Sequence, residues 1–292
     1  MFTVLSLAAF LFGLIIGSFL NVVILRHGTE TLAGRSRCPH CRKLIHWYEN
    51  VPVLSYLALR GRCAGCRTPL SLQYPLVELA VGFLFVALFF FVAERLAVTA
   101  PEAFLRLAPL SAFLLLSAVW STLVAIFVYD LYHKIIPDRF VFTFIGLSVL
   151  WFLFFLHPGS LLSLGALLDG LSGPLLFLFF GSLWYFSGGR WMGFGDAKLA
   201  LGMGFLLGLS GGLAAVLLAF WIGAAVAVLL LCVGSLLSKL GTTALPPSLK
   251  RLTIKSEVPF APFLIIGTAI AFFGEVDALG LLLFITSYVP TL

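Results

Sequence analysis

Two aspartates stand where long apolar runs meet polar chain: Asp130 closes the run Ser121 to Tyr129, and Asp196 opens the run from Ala197. Two carboxylates that share one water suit amide hydrolysis. An ionised acid takes the water's proton while its protonated partner polarises the scissile carbonyl. Asp130 sits at the carboxyl end of its run, where a negative charge opposes the helix dipole, so helix capping does not explain it. An ordinary interfacial acid is the plain alternative. Asp196 is preceded by Gly193-Phe194-Gly195. The glycines leave room for another chain to approach closely; the plain alternative for Asp196 is an N-cap. Asp138 follows Pro137 at the start of the next run and fits a first-turn acid, with a direct catalytic role as the second reading. His133, in the short polar loop near Asp130, is read as an interface residue or as a group that tunes the acids.

A second constellation lies in Cys38-Pro39-His40-Cys41 and Cys63-Ala64-Gly65-Cys66, two CxxC pairs separated by 21 residues. This is the knuckle spacing of a tetrahedral four-cysteine zinc site. Disulfides or redox thiols, and iron, are the other readings. A module of about 50 residues has little core of its own, so a metal would supply much of its folding free energy. Arg35, Arg37, Arg42, Lys43, Arg60, Arg62 and Arg67 surround the pairs and suit attraction to an anionic membrane surface or a specific anionic ligand. Cys232 falls within an apolar run and reads as a packing residue.

The elements that must position these groups are membrane helices. Of 292 residues 61% are apolar and 10% charged, against about 25% charged in a soluble domain. Apolar runs cover 2–24, 76–93, 107–129, 140–156, 171–187, 197–209, 212–237 and 259–273, most of them near the ~20 residues that cross a bilayer. The expected fold is all-α, a polytopic body of about eight spans. The run 197–209 is short, and 278–289 is a further apolar stretch too short to count. Met1 to Val4 carry no basic segment, so the first run is expected to be a retained span. With the loops assigned alternately, 16 of the 18 Lys and Arg fall on one face, leaving Arg95 and Arg106 on the other with Glu94, Glu102, Glu275 and Asp277. The positive-inside rule then puts the amino terminus outside and the 25–75 insert in the cytoplasm, where disulfides are disfavoured. The net charge of +6 follows from this topology and calls for no nucleic acid. The expected division is a first helix, 1–24, a cytoplasmic four-cysteine module, 25–75, and a membrane body, 76–292. Asp169 is expected to mark the outer end of the fifth span, over ~20 Å from the inner face. The segment Pro246 to Arg251 with Lys255 reads as a loop on anionic lipid.

Further motifs are Gly17-Ser18-Phe19-Leu20-Asn21-Val22-Val23, Asn50-Val51-Pro52-Val53-Leu54-Ser55-Tyr56, Gln73-Tyr74-Pro75-Leu76-Val77-Glu78, Ile136-Pro137-Asp138, Gly193 to Asp196 with Lys198-Leu199, and Val258-Pro259-Phe260-Ala261-Pro262-Phe263. With the cysteine pairs, these make the chain resemble type IV prepilin peptidases of the bifunctional leader peptidase and N-methyltransferase kind over nearly its whole length. His27-Gly28 and Ala261 depart from that pattern, where a proline and a glycine are expected.

The resemblance implies that Asp130 and Asp196 are the catalytic pair of a GxGD aspartyl protease in the bacterial inner membrane, supported by Gly193, Gly195, Asp138 and Lys198. The substrates implied are type IV prepilins or type II secretion pseudopilins, cut after a glycine. The new terminal residue, usually phenylalanine, is then methylated from S-adenosylmethionine. The cysteine module belongs to the methylating members. No glycine-rich nucleotide loop is visible. Glu78 is read as a residue that holds the substrate's amino group or the methyl donor, or as an interfacial acid paired to a base. A peptidase with a purely structural zinc module is the alternative enzyme. A zinc-knuckle scaffold would tolerate loss of both aspartates, and a transporter would place its charges nearer the membrane midplane.

Overall fold

Apolar runs in lipid must satisfy their backbone groups internally, which leaves helices as the form available to them. The computed structural model describes residues 2–28, 31, 34–38, 40–97, 108–157, 161–239, 259–278 and 280–281. They form α1 (Phe2–Arg26), α2 (Leu54–Ala58), α3 (Gln73–Ala97), α4 (Ala108–His133), α5 (Asp138–Trp151), α6 (Leu164–Ser187), α7 (Phe194–Lys239) and α8 (Ala261–Phe273). A 3-10 turn, Trp47–Asn50, precedes α2, and a π-helical turn, Phe152–Leu156, extends α5. Among the described residues β pairing is confined to two isolated bridges, Arg37 with Leu44 and Arg62 with Pro69. The protein is an all-helical, multi-pass membrane protein. The Pro246 to Lys255 loop, Glu102, Arg106 and most of the 278–289 stretch lie outside the described residues.

Among the described residues six helical elements are long and apolar enough to cross a bilayer: α1, α3, α4, α5 with its π turn, α6 and α7. The difference from the eight expected runs lies in α7 and α8. Runs 197–209 and 212–237 are two helical halves of α7 that meet at Gly208, whose backbone (φ 72, ψ −174) is not helical. A Cβ at Gly212 would lie 3.7 Å from Gly204 Cα, so the chain folds back there and the two runs stay distinct, while α8 has only 13 residues. Past the interruption, the Leu209 N–H donates to Asp169 Oδ1 at 2.8 Å, while Asp169 Oδ2 lies 2.8 Å from His157 Nε2. A Cβ at Gly208 would stand 2.6 Å from Asp169 Oδ1, so both the positive φ and the space require glycine here. Asp169 therefore caps the second half of α7.

By chain contacts the protein divides at residues 128 and 129. In the first unit α1 packs on α3, with Phe10 against Phe83 and Phe12 against Phe85 at centroid distances of 5.2 and 5.6 Å. Val81, Phe85, Leu88 and Leu116 are fully buried there. In the second unit α7 packs against α5, α6 and α8, around Phe144, Phe180, Met203 and Leu264. The outward sides carry Phe83, Phe90, Phe142, Leu178 and Leu229, each at least half exposed, as helix faces turned to lipid require.

Candidate functional site

In the second unit, Asp130 lies in the last turn of α4 and Asp196 in the first turn of α7. Both side chains are buried, at 4% and 7% exposure, and Asp130 is within electrostatic range of Asp196. The local backbone explains each position. The Lys134 N–H closes α4 on the Asp130 carbonyl at 2.8 Å, with Lys134 itself in the left-handed region (φ 54), a C-terminal cap that ends the helix beyond the acid. The Asp196 N–H donates to the Gly193 carbonyl at 3.2 Å, and a Cβ on Gly193 would lie 3.7 Å from Asp196 Oδ2.

Gly195 is where the two acid-bearing segments meet. A Cβ there would stand 3.0 Å from Ile136 Cβ, 3.1 Å from its Cδ1 and 3.3 Å from its Cγ1. The Ile136-Pro137-Asp138 segment thus lies directly on the glycine loop. Asp138 occupies the first turn of α5 without a side-chain capping bond; its Oδ1 instead accepts from Lys198 Nζ at 2.6 Å. Lys198 also lies 5.2 Å from the ring centres of Phe142 and Phe194, within cation–π range. Asp138 and Lys198 therefore join the start of α5 to the start of α7. His133 stacks on Tyr129 at 4.1 Å, and its Nδ1 is 3.2 Å from the Tyr129 carbonyl.

In the first unit the four sulfurs of Cys38, Cys41, Cys63 and Cys66 lie within 4.8 Å of one another. Cys38 Sγ is 3.8 Å from Cys66 Sγ, and Cys41 Sγ 4.0 Å from Cys63 Sγ. A tetrahedron of Zn–S bonds of about 2.3 Å has edges of ~3.8 Å, so the donor set and its size fit zinc. The two knuckles repeat one design. Cys38 N–H donates to the Lys43 carbonyl at 3.0 Å and Cys63 N–H to the Thr68 carbonyl at 3.0 Å; Arg42 and Arg67 return bonds of 2.9 Å, each at φ 57. The Thr68 hydroxyl, followed by its backbone N–H, holds the Cys66 thiol down at about 6. Cys41 receives the Lys43 N–H, which favours thiolate, yet lost hydration and the other sulfurs push it up to about 11. A divalent metal among the four sulfurs would favour their thiolate forms and offset the repulsion between them.

Between this module and the adjoining ends of α1 and α3 lies a cleft of about 1020 Å³. Its lining includes Glu78, 6% exposed, and Asn21, 2% exposed. Glu78 Oε2 accepts the Val53 N–H at 2.7 Å, and the Ser18 hydroxyl also bonds the carboxylate. Asn21 Nδ2 donates to the Tyr74 carbonyl at 3.1 Å, leaving its buried Oδ1 without a partner. The reading of Glu78 as an acid paired to a base does not hold: among the described residues it pairs with no lysine or arginine. Sequence reasoning quoted Asn21 only as part of a motif. The available signal was an amide inside an apolar run, which is costly in lipid and marks a site by default.

The model of the Bacterial Peptidase A24 N-terminal domain matches residues 11–92, and that of the Type IV leader peptidase family matches residues 117–228. These matches define a class of membrane proteases. Among curated relatives, a prepilin leader peptidase/N-methyltransferase of Burkholderia pseudomallei (strain 1026b) is 34% identical over 300 residues, 91% of this chain and 84% of its own. One from Aeromonas hydrophila is 37% identical over 228 residues, 68% of this chain and 72% of its own. One from Myxococcus xanthus (strain DK1622) is 57% identical over 84 residues, 27% of this chain and 25% of its own. The chain belongs to the prepilin leader peptidase/N-methyltransferase family and is an enzyme of it. No solved structure matches it significantly.

Proposed function

We propose that the enzyme removes the short basic leader of type IV prepilins or type II secretion pseudopilins at the cytoplasmic face of the bacterial inner membrane, and methylates the new terminal amine. The observation that carries the peptidase half is the pair of buried carboxylates, Asp130 and Asp196, within electrostatic range of each other on α4 and α7. Two such acids hold one proton between them. The ionised acid takes a proton from water, and the resulting hydroxide adds to the scissile carbonyl carbon. The protonated acid donates its hydrogen to the carbonyl oxygen. When the tetrahedral adduct collapses, a proton passes to the leaving nitrogen and the C–N bond breaks. Gly193, Gly195, Asp138 and Lys198 position the pair. The excess of Lys and Arg on the loops of one face supports a cytoplasmic site.

The functional division is that of the sequence: a first helix, 1–24, a four-cysteine module, 25–75, and a peptidase body, 76–292. Cys38, Cys41, Cys63 and Cys66 would hold zinc, which when bound supplies folding free energy to the module. S-adenosylmethionine supplies the methyl group, as the N-methyltransferase name of the relatives suggests.

Full-length protein in detergent, incubated with a prepilin and S-adenosylmethionine, tests this by mass spectrometry. The wild type is expected to release the leader and add one methyl. Asp130→Asn and Asp196→Asn are each expected to slow cleavage at least ~1000-fold while staying folded. Cleavage by either variant at the wild-type rate would sink the dyad.

A further inference from the structure

The cleft beside the cysteine module has a chemistry of its own. Its floor is made by α1 and α3, which approach closely at Gly17, where a Cβ would stand 2.7 Å from Glu78 Cα. Glu78, Asn21 and the Tyr74 carbonyl thereby collect at the adjoining ends of two membrane helices. The other wall comes from the insert and carries Arg37, Arg42, Tyr56 and the apolar side chains of Leu44 and Ile45. The volume suits a cofactor-sized ligand, for which pockets run roughly 300–1,000 Å³.

Two features mark the floor as built for a cationic donor. Glu78 is buried with no lysine or arginine paired to it among the described residues, and the Asn21 Oδ1 is a buried acceptor lacking a donor. A primary ammonium carries three donors, which suit the Asn21 Oδ1 and the carboxylate lone pairs of Glu78 not taken by the Val53 N–H and the Ser18 hydroxyl. The backbone is also strained to hold the acid. Val53, which donates its N–H to Glu78, has φ 61 and ψ −49, a conformation that is an outlier for a β-branched residue and persists where surroundings enforce it.

We propose that this cleft is the methyl-transfer site and that Glu78 is its amine-binding carboxylate, holding the new terminal ammonium of the cleaved pilin against the floor. The inference rests on the methyltransferase half of the proposed function. A pilin enters from the membrane side because its apolar segment stays in lipid, and the floor is the wall made of membrane helices. The insert wall, with arginines for a carboxylate and apolar surface for a base, faces the sulfonium methyl donor. The ammonium gives one proton to the Glu78 carboxylate. The freed nitrogen lone pair then forms the N–CH3 bond as the S–CH3 bond breaks, and the electron pair of that bond stays on sulfur, leaving a neutral thioether.

Glu78→Gln separates charge from scaffold, because a glutamine oxygen still accepts the Val53 N–H. The test uses full-length protein in detergent and two fluorescent peptides with the mature pilin terminus, one with a free amine and one N-acetylated. Wild type is expected to bind the free amine at least tenfold more tightly. Glu78→Gln is expected to lose that preference, to methylate cleaved pilin at least 100-fold more slowly, and to keep leader cleavage and S-adenosylhomocysteine binding within threefold. Asn21→Leu is expected to weaken the free-amine preference in the same sense. Methylation by Glu78→Gln within threefold of wild type, or equal loss of cleavage, methylation and S-adenosylhomocysteine binding, overturns the assignment and makes Glu78 structural. Absence of methylation in the wild type overturns the methyltransferase reading itself, and this proposal with it.

Discussion

The contact at Gly195 gives a perturbation whose size follows from distances alone. In Gly195→Ala the new methyl meets Ile136 Cβ at 3.0 Å and Cδ1 at 3.1 Å. Carbon atoms reach their optimal separation at about 3.5 Å or more, so one segment must retreat by ~0.5 Å. Over-packing of this kind costs about 1–3 kcal/mol. The retreat falls between the segments carrying Asp130 and Asp196. A 1 Å misplacement at a reacting centre costs about 100-fold, so half of that gives an expected ~10-fold fall in kcat. KM is expected to change little, since the displacement falls on the segments that carry the two acids. Leader cleavage followed over a range of prepilin concentrations separates the two constants, and thermal unfolding in the same detergent reports the packing cost. Ile136→Ala removes the Cγ1 and Cδ1 contacts but keeps Cβ, so combining it with Gly195→Ala is expected to recover about half of the loss on a logarithmic scale. An undiminished kcat in Gly195→Ala, or a double variant no faster than the single, refutes the argument that glycine is required there by Ile136.

Two further outcomes follow from the structure. Purified protein is expected to hold one zinc per chain by elemental analysis; Cys38→Ser and Cys63→Ser should each lose it and expose residues 40–70 to protease, whereas stoichiometric iron, or no metal, contradicts the fit of the four sulfurs. Asp169→Ala removes the acceptor of the Leu209 N–H, a loss of about 1–3 kcal/mol, while Asp169→Asn keeps an oxygen and should lose less than half of that in thermal unfolding; equal losses would mean that the cap is not what stabilises the interruption.

Much of the architecture was legible because lipid leaves a chain few choices. Apolar runs of span length became α1, α3, α4 and α6 within a few residues of their sequence bounds, apart from the earlier start of α6 at Leu164. Repeated CxxC spacing gave a cluster of four sulfurs, since each tight knuckle fixes two of them. The position of Asp130 and Asp196 at run ends, and on one face by the count of spans, was visible in the sequence; the side-chain geometry between them was not, because it depends on how α4 and α7 turn. Hydropathy separated the runs 197–209 and 212–237, and the break falls at Gly208; periodicity does not see a single positive φ, and the cap from Asp169 depends on α6 packing beside the interruption. Asn21 and Glu78 come together only through the pairing of α1 with α3, a tertiary fact with no local signature. The Lys198 bridge to Asp138 spans 60 positions, and each residue has an adequate local explanation without the other.

That bridge changes how the acids are tethered. Along the chain Asp130 and Asp196 are 66 positions apart, but Asp138 is eight residues beyond the first, and Lys198 two beyond the second. Once Asp138 and Lys198 pair, the two carboxylates become members of a small ring closed partly by peptide bonds and partly by charge. Closing a loop of about ten residues costs less entropy than closing one of about 66, by ~1.7 kcal/mol on the logarithmic scale. The bridge thus acts as a clasp that shortens the search of one acid for the other, a contribution to assembly that its own exposed ion-pair energy would not reveal.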